Sequence, residues 1–336
     1  MDNFENQQEI FSLLRKKIPR GTGVYLFSDQ NGEIMYVGKS LNLRQRVSSY
    51  FRTDMMRVEY RTREMISNIG DVDFYETDSE LLALLLEDAL IKDYQPRHNV
   101  RQQQYLGYQY ILLTEGPYPT CRMMGKSDDP GQGQTFGPYK SRFFVKDLLY
   151  IIRRFVGLRS CEETVPTRFS LNHEFGYCTG PCRGKISPGG YARIVERVVE
   201  FLRGNETYAV GKLTEAMEEA SLALQFEKAE EFKGRIEFCE RFCTRQRFLH
   251  RFKEENLTIR ENGIVYEFEK GRLKALRGFT SQHPDIMTIL CGRREDSDED
   301  PRFHLDRANI VYSWIHNEKN ECEYYFTDEK ITPSKQ

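Results

Sequence analysis

Glu87 is the residue whose surroundings most demand a chemical explanation. In the run SELLALLLEDALIKD its neighbours three and four positions away are Ala83, Leu84, Leu90 and Ile91. Residues at those spacings share one helical face, so a carboxylate protrudes from an apolar stripe. A buried carboxylate is costly unless a cation, a metal ion or a raised pKa relieves it. An edge position that reaches water, or an internal ion pair, would relieve it as well. Upstream, Tyr25 and Tyr36 fall in two strand-like runs, and Lys39, Arg44, Arg46 and Tyr50 follow closely. Arg46 and Tyr50 are four apart, hence on one face of a helix. Between Tyr36 and Arg63 there are seven Lys/Arg against two Asp/Glu, a local basic surface in a chain of net charge −2. Strand tyrosines are ordinarily core and a basic run is ordinarily a solvated face. Interleaved, the two also suit a phosphate-bearing strand.

Two further patterns carry chemistry. Cys161, Cys178 and Cys182 cluster in a Gly- and Pro-containing stretch, with C-x3-C spacing for the last pair. Thiolates favour zinc or iron–sulfur, although buried free thiols are the other ordinary outcome. Cys239 and Cys243 lie on one side of a helix and read as core, and Cys121, Cys291 and Cys322 as isolated small hydrophobes. The segment KLTEAMEEASLALQFEKAEEFKGRIEFCERF places Leu213, Met217 and Ala220 on one helix and Phe226, Ala229 and Ile236 on the next. That periodicity predicts a packed helical hairpin with an apolar side for a partner. The basic run 140–159 (Lys140, Arg142, Lys146, Arg153, Arg154, Arg159) is a second candidate nucleic-acid face. The acidic run at 295–300 reads as a solvated loop.

The elements that must position these residues follow from the pattern. A short helix is expected over 1–15. Strand-like runs at 23–28 and 33–38 flank Asn31-Gly32, a strong hairpin signal. Ser40 is a candidate cap for a helix running to Tyr50. A third strand is expected at 72–76 and a helix over 79–93, closed by Pro96. This α/β unit occupies 1–100. Residues 101–205 read as linker and mainly helical, with the cysteine segment 161–182. Residues 206–250 read as the helical hairpin, and 256–336 as a β-rich region whose strand-like runs are GIVYEFE, IMTILCG, IVYSWIH and CEYYFTD. The fold class is α+β: a short three-stranded antiparallel sheet flanked by helices, a mainly helical middle, and a small β-rich C-terminal region. A hydrophobic fraction of 39% with 30% charged residues fits a globular, cytoplasmic protein, and no run approaches a membrane span. A net charge of −2 argues against a uniformly basic DNA binder.

GVYLF, then YVG, Lys39, an Arg-rich helix and a glutamate on a later helix resemble the GIY-YIG nuclease family. More narrowly, GVYLFSDQNGEIMYVGKSLNLRQRVSSYF with SELLALLLEDALIKDYQPRHN resembles the nuclease domain of UvrC/Cho excision-repair endonucleases. The resemblance is dense over 17–100 and extends through TFGPYKS, LRSC and 212–240. It implies a metal-dependent endonuclease. Glu87 would bind one Mg²⁺ or Mn²⁺, Tyr36 would act as general base or orient the water, and Lys39 would assist. Arg46 would hold the scissile phosphate, Tyr25 and Tyr50 would position water and phosphate, and Asn99 would support the site. Arg44, Arg52, Lys140, Arg142, Arg153 and Arg154 are then candidate DNA contacts.

The resemblance further implies a UVR-like hairpin that pairs with UvrB, with Leu213, Met217, Phe226 and Ile236 as candidate contacts. It implies damaged double-stranded DNA as substrate and no membrane. UvrC-like proteins carry four cysteines where this chain has Cys161, Cys178 and Cys182 and places Ser170 at the remaining position, so an iron–sulfur cluster here would take a serine or an external fourth ligand, the alternative being that the three cysteines are remnants that bind no metal. The run RQQQ at 101–104 also departs from the family's acidic–lysine stretch. No RNase H-like acidic set or helix-hairpin-helix pair is found after residue 250. The expectation is a single incision, 3′ to a lesion, in a UvrB–DNA complex. The alternative is a catalytically idle module that binds DNA and UvrB.

Overall fold

The computed structural model describes residues 17–52, 59–99, 108–125, 128, 131–139, 141–161, 173, 178–279, 283–291, 301–327 and 332–333. The short helix expected over 1–15, Lys140, Ser170, RQQQ and the acidic run 295–300 lie outside them. Two compact units are formed: Met1–Gln103 with Arg251–Gln336, and Gln104–His250.

In the first unit, β1 (Gly23–Ser28), β2 (Ile34–Ser40) and β3 (Asp71–Glu76) form an antiparallel sheet in the order β2-β1-β3. The β1–β2 turn is set by Asp29, whose Oδ1 accepts the amides of Asn31 and Glu33 at 2.9 and 3.1 Å. Gly32 takes the left-handed φ of 83° that a side chain disfavours. Asn31 does not share it. Every residue of the central strand β1 is buried. Helix α1 (Leu43–Arg52) is started by Asn42, whose Oδ1 accepts the Gln45 amide at 2.9 Å. Ser40 instead accepts the Asn42 amide, so it shapes the turn and is not the cap of this helix. Helix α2 (Tyr60–Ser67) precedes β3. Helix α3 (Glu80–Tyr94) is capped by Ser79 and packs on β1 and β2.

The C-terminal part of the same unit is a five-stranded antiparallel sheet, ordered β11-β10-β7-β8-β9. Its strands are β7 (Asn256–Glu261), β8 (Ile264–Glu269), β9 (Arg272–Arg277), β10 (Glu323–Phe326) and β11 (Thr332–Pro333). The runs IMTILC and IVYSWI, read as strands, are helical instead. They form α8 (Ile286–Cys291) and the end of α9 (Pro301–Ile315). Short apolar runs do not distinguish a buried strand from a buried helix by periodicity. Here both helices pack against α3, and that tertiary contact decides the outcome.

In the second unit, β4 (Gln109–Thr114), β5 (Cys121–Gly125) and β6 (Gly133–Tyr139) form a three-stranded sheet in the order β5-β4-β6. The linker and mainly helical reading of 101–205 is therefore corrected over 109–139, where cross-strand pairing builds a sheet and TFGPY falls inside β6. Helix α4 (Arg142–Ile151) is capped by Ser141 and continues into a π-helical turn, Ile152–Val156. Helices α5 (Pro188–Leu202), α6 (Thr207–Leu222) and α7 (Phe226–Glu254) follow. Val145, Leu148, Phe201, Leu213, Cys239, Phe242 and Cys243 share one core.

Candidate active site

The strand register brings three tyrosines together. Tyr25 pairs with Gly38, and Phe27 pairs with Tyr36, so Tyr25 and Tyr36 are diagonal neighbours on one face, not direct partners. Their ring centroids are 6.0 Å apart. Helix α1 delivers Tyr50 against both, and the Tyr25 and Tyr50 hydroxyls are 2.9 Å apart. Phe27 packs into the same cluster, 5.2 Å from Tyr50 and 6.0 Å from Tyr36. Arg46, one helical turn before Tyr50, donates from Nε to the Tyr25 hydroxyl at 3.4 Å. Its guanidinium also lies 5.1 Å from the Tyr50 ring. Burial and the neighbouring tyrosines hold the Tyr25 and Tyr36 phenols well above their ordinary range. Both phenols are therefore neutral hydrogen-bonding groups at neutral pH.

Glu87, on α3, lies within electrostatic reach of Tyr36 and Arg46. Its Oε1 accepts the Lys39 amide at 2.8 Å. Burial raises its pKa, opposed by the Lys39 amide and charge. The Lys39 ammonium is paired with Glu80. Glu80 is a site residue that the sequence reading missed. It stands seven positions before Glu87, two helical turns, so both carboxylates face Lys39. That spacing was visible in the sequence, but an acid in a first helical turn has an ordinary explanation in the helix dipole. Asp88, one position on, is half-buried and accepts a bond from Lys92 at 2.6 Å.

Asn99 closes the outer edge of β2. Its Oδ1 accepts the Val37 amide at 2.9 Å and its Nδ2 donates to the Val37 carbonyl at 2.7 Å. The buried side chain thus completes the backbone pairing of an edge strand. Together with the His98 amide on the Met35 carbonyl, it holds the strand that carries Tyr36 and Lys39.

A hard divalent cation takes oxygen ligands, and Mg²⁺ keeps several waters. One mostly buried carboxylate, bonded to an amide and raised in pKa by desolvation, is a donor that such a cation would satisfy. The residues present therefore fit a cation held by Glu87. The cysteines do not give a comparable fit. Cys161, Cys178 and Cys182 are near enough to couple electrostatically. Yet no three His, Cys, Asp or Glu side chains converge as a ligand set among the described residues. Instead, the fully buried Arg159 donates to the Cys161 sulfur at 3.2 Å.

The other candidate residues separate by exposure. Arg52, Arg142 and Arg154 are exposed. Arg44 is tied through Nε to the Ile18 carbonyl at 2.7 Å. Arg153 is turned inward onto the Cys121 carbonyl at 3.0 Å. In the α6–α7 hairpin, Leu213 is a core residue and Ile236 packs against that core, so neither presents a free apolar surface. Met217 is half-buried. The exposed apolar groups are at the tip: Leu222 (86%), Leu224 (74%) and Phe226 (65%).

Comparison with known proteins identifies the family. Residues 21–100 match the family of UvrC-like GIY-YIG domains, and residues 108–201 match the UvrC/Cho excinuclease middle domain. The chain is 36% identical over 238 residues to UvrABC system protein C of Caldicellulosiruptor saccharolyticus, covering 69% of this chain and 40% of that protein. It is 32% identical over 289 residues to the protein of that name from Dictyoglomus thermophilum, covering 81% and 47%. The chain thus spans less than half the length of these relatives. A solved GIY-YIG endonuclease domain of UvrC from Thermotoga maritima, bound to magnesium, is 29% identical. It covers 26% of this chain and 96% of its own, with a TM-score of 0.23. Among the described residues no helix is long and apolar enough to cross a membrane. With the GIY-YIG match ending at residue 100 and the middle-domain match starting at 108, this chain belongs to the UvrC/Cho family.

Proposed function

We propose that this chain is a metal-dependent DNA endonuclease of nucleotide excision repair, working in the cytoplasm. It makes one incision, on the 3′ side of a lesion, in a complex of UvrB and damaged duplex DNA. The observation that carries this reading is Glu87: a carboxylate in an apolar helix that accepts the Lys39 amide and lies within electrostatic reach of Tyr36 and Arg46. A pure DNA-binding surface has no use for a buried carboxylate beside phosphate.

In this reading Glu87 holds Mg²⁺ or Mn²⁺. When bound, the cation supplies charge neutralisation and lowers the pKa of water. Arg46, exposed and fixed by Tyr25, takes two oxygens of the scissile phosphate with its planar fork. Lys39, held by Glu80, places its ammonium where negative charge develops. Tyr36 remains a neutral phenol at neutral pH and orients the attacking water by a hydrogen bond; removing a proton with it requires the nearby cationic charge. Tyr25 and Tyr50 fix one another and the phosphate pocket. Arg52, Arg142 and Arg154 offer phosphate contacts along the duplex. The hairpin tip, Leu222, Leu224 and Phe226, offers UvrB an apolar anchor in place of the buried Leu213.

The test is incision of an end-labelled duplex with one bulky lesion, with UvrB loaded and Mg²⁺ or Mn²⁺ supplied. Wild type is compared with Glu87→Gln. One 3′-side cut by wild type and loss of at least about a hundredfold in the variant are expected, with DNA binding retained. Wild type that binds UvrB and DNA without cutting would instead favour a recruitment module.

A further inference from the structure

Helix α3 is apolar all the way round. Leu81, Leu82, Ala83, Leu85, Leu86, Leu90 and Ile91 are all buried. At about 100° per residue they cannot share one stripe. The nuclease sheet covers one side, through β1 and β2, and α8 and α9 of the C-terminal region cover another. The helix that carries Glu87 is therefore a shared element, packed between the nuclease sheet and residues that follow 250.

The contact is polar where the helix begins. Ser79 Oγ accepts the Leu82 amide at 3.3 Å, as an N-cap should. Its hydroxyl donates to Glu261 Oε2 at 2.7 Å, and the Tyr266 hydroxyl donates to Ser79 Oγ at 2.8 Å. Glu261 ends β7 and Tyr266 lies in β8. All three residues are buried. Glu261 thus fixes the rotor of the capping hydroxyl and places a carboxyl group near the positive end of the helix; burial raises its pKa, opposed by the hydrogen bonds of Ser79 and Tyr266. The residue after Ser79 is Glu80, the partner of Lys39.

We propose that Glu261 is a positioning residue for the incision site. Through Ser79 it fixes the first turn of α3, and with it Glu80, which holds the Lys39 ammonium, and Glu87, which would receive the divalent cation. This rests on the nuclease reading and adds a role for the C-terminal sheet, which belongs to the machinery that shapes the site. A fraying first turn releases Glu80 first and moves Glu87 two turns on.

The experiment uses the full chain and Mn²⁺ as the probe. Mn²⁺ binding is followed by electron paramagnetic resonance, lesion-duplex incision by a Mn²⁺ concentration series, and folding by circular dichroism. Glu261→Leu and Ser79→Ala should each need about fivefold more Mn²⁺ for half-maximal incision and bind it correspondingly more weakly. The double variant should be no worse than the singles, because both break one relay. Glu261→Gln keeps an acceptor for the Ser79 hydroxyl and should stay within about twofold of wild type. A merely structural contact would lower stability without moving the Mn²⁺ dependence. If Glu261→Leu fails to fold, Ser79→Ala alone decides, since it removes one hydroxyl. Folded variants with wild-type Mn²⁺ dependence overturn the proposal. Wild type that neither binds Mn²⁺ nor cuts overturns the nuclease reading, and this proposal with it.

Discussion

Gly38→Ala should damage this site more than any comparably small change. Gly38 pairs with Tyr25 across the β1–β2 ladder. A Cβ there would lie 2.5 Å from the Tyr25 hydroxyl oxygen, 2.7 Å from Tyr25 Cζ and 2.9 Å from Tyr36 Cε1. Tyr25 is wholly buried in the central strand and cannot swing into solvent. Moving its ring also breaks the 2.9 Å contact with Tyr50 and the 3.4 Å bond from Arg46. Overpacking of this kind costs about 1–3 kcal/mol. For a unit of this size each kcal/mol lowers the melting midpoint by about 2–4 °C, so a fall of about 2–12 °C is expected. The catalytic effect should be larger. A displacement near 1 Å in the positioning groups can cost about a hundredfold in rate. Thermal unfolding by circular dichroism and single-turnover incision of a lesion duplex measure the two effects. A variant that melts within a degree of wild type and cuts at the wild-type rate would refute the register and the packing argument together.

Three other outcomes follow from the same geometry. Asn99→Ala leaves the amide and carbonyl of Val37 without their buried partner and should cost about 2–4 kcal/mol in thermal or urea unfolding. Asn99→Asp can accept but not donate, and should fall between Ala and wild type. Gly211→Ala, inside α6 where an added Cβ meets nothing within 4 Å, should raise stability by about 0.5–1 kcal/mol in the same assay. Burial pushes the Cys121 and Cys239 thiols up to about 12, so at pH 8 the thiolate is about one part in ten thousand and iodoacetamide should spare both. Exposed Cys291 should be alkylated first among these three, read by peptide mass spectrometry. Labelling of Cys121 or Cys239 at a comparable rate would contradict the core packing.

What the sequence disclosed and what it hid differ for physical reasons. The hairpin at Asn31-Gly32, the helix over Glu87 and the Arg46–Tyr50 face were legible, because turn chemistry and helical spacing are local. Cross-strand register is not local. Only the pairing shows that Tyr25 and Tyr36 share a face and that Gly38 is the residue opposite Tyr25. Exposure is not local either. Leu213 and Phe226 carry the same hairpin periodicity, yet one is core and the other lies at an open tip. Arg153 and Arg159 read as basic surface and instead bond carbonyls inside the second unit. Charge in a sequence states what a side chain can do, not which way it turns.

Helix α3 shows how such a signal can be misread. Treating Ala83, Leu84, Leu90 and Ile91 as one stripe correctly isolated Glu87 as a carboxylate in apolar company. The same run also holds Leu81, Leu82, Leu85 and Leu86, which point elsewhere on the wheel. An amphipathic helix lying on one sheet does not need them. Their presence already called for a second layer over α3. The runs IMTILC and IVYSWI are that layer, and taking them as strands hid the partnership. Once α8 and α9 are seen on α3, the buried Glu261 has an explanation. The region whose helices cover the helix bearing the site also holds the start of that helix, through the hydrogen bond between Ser79 and the Glu261 carboxyl group.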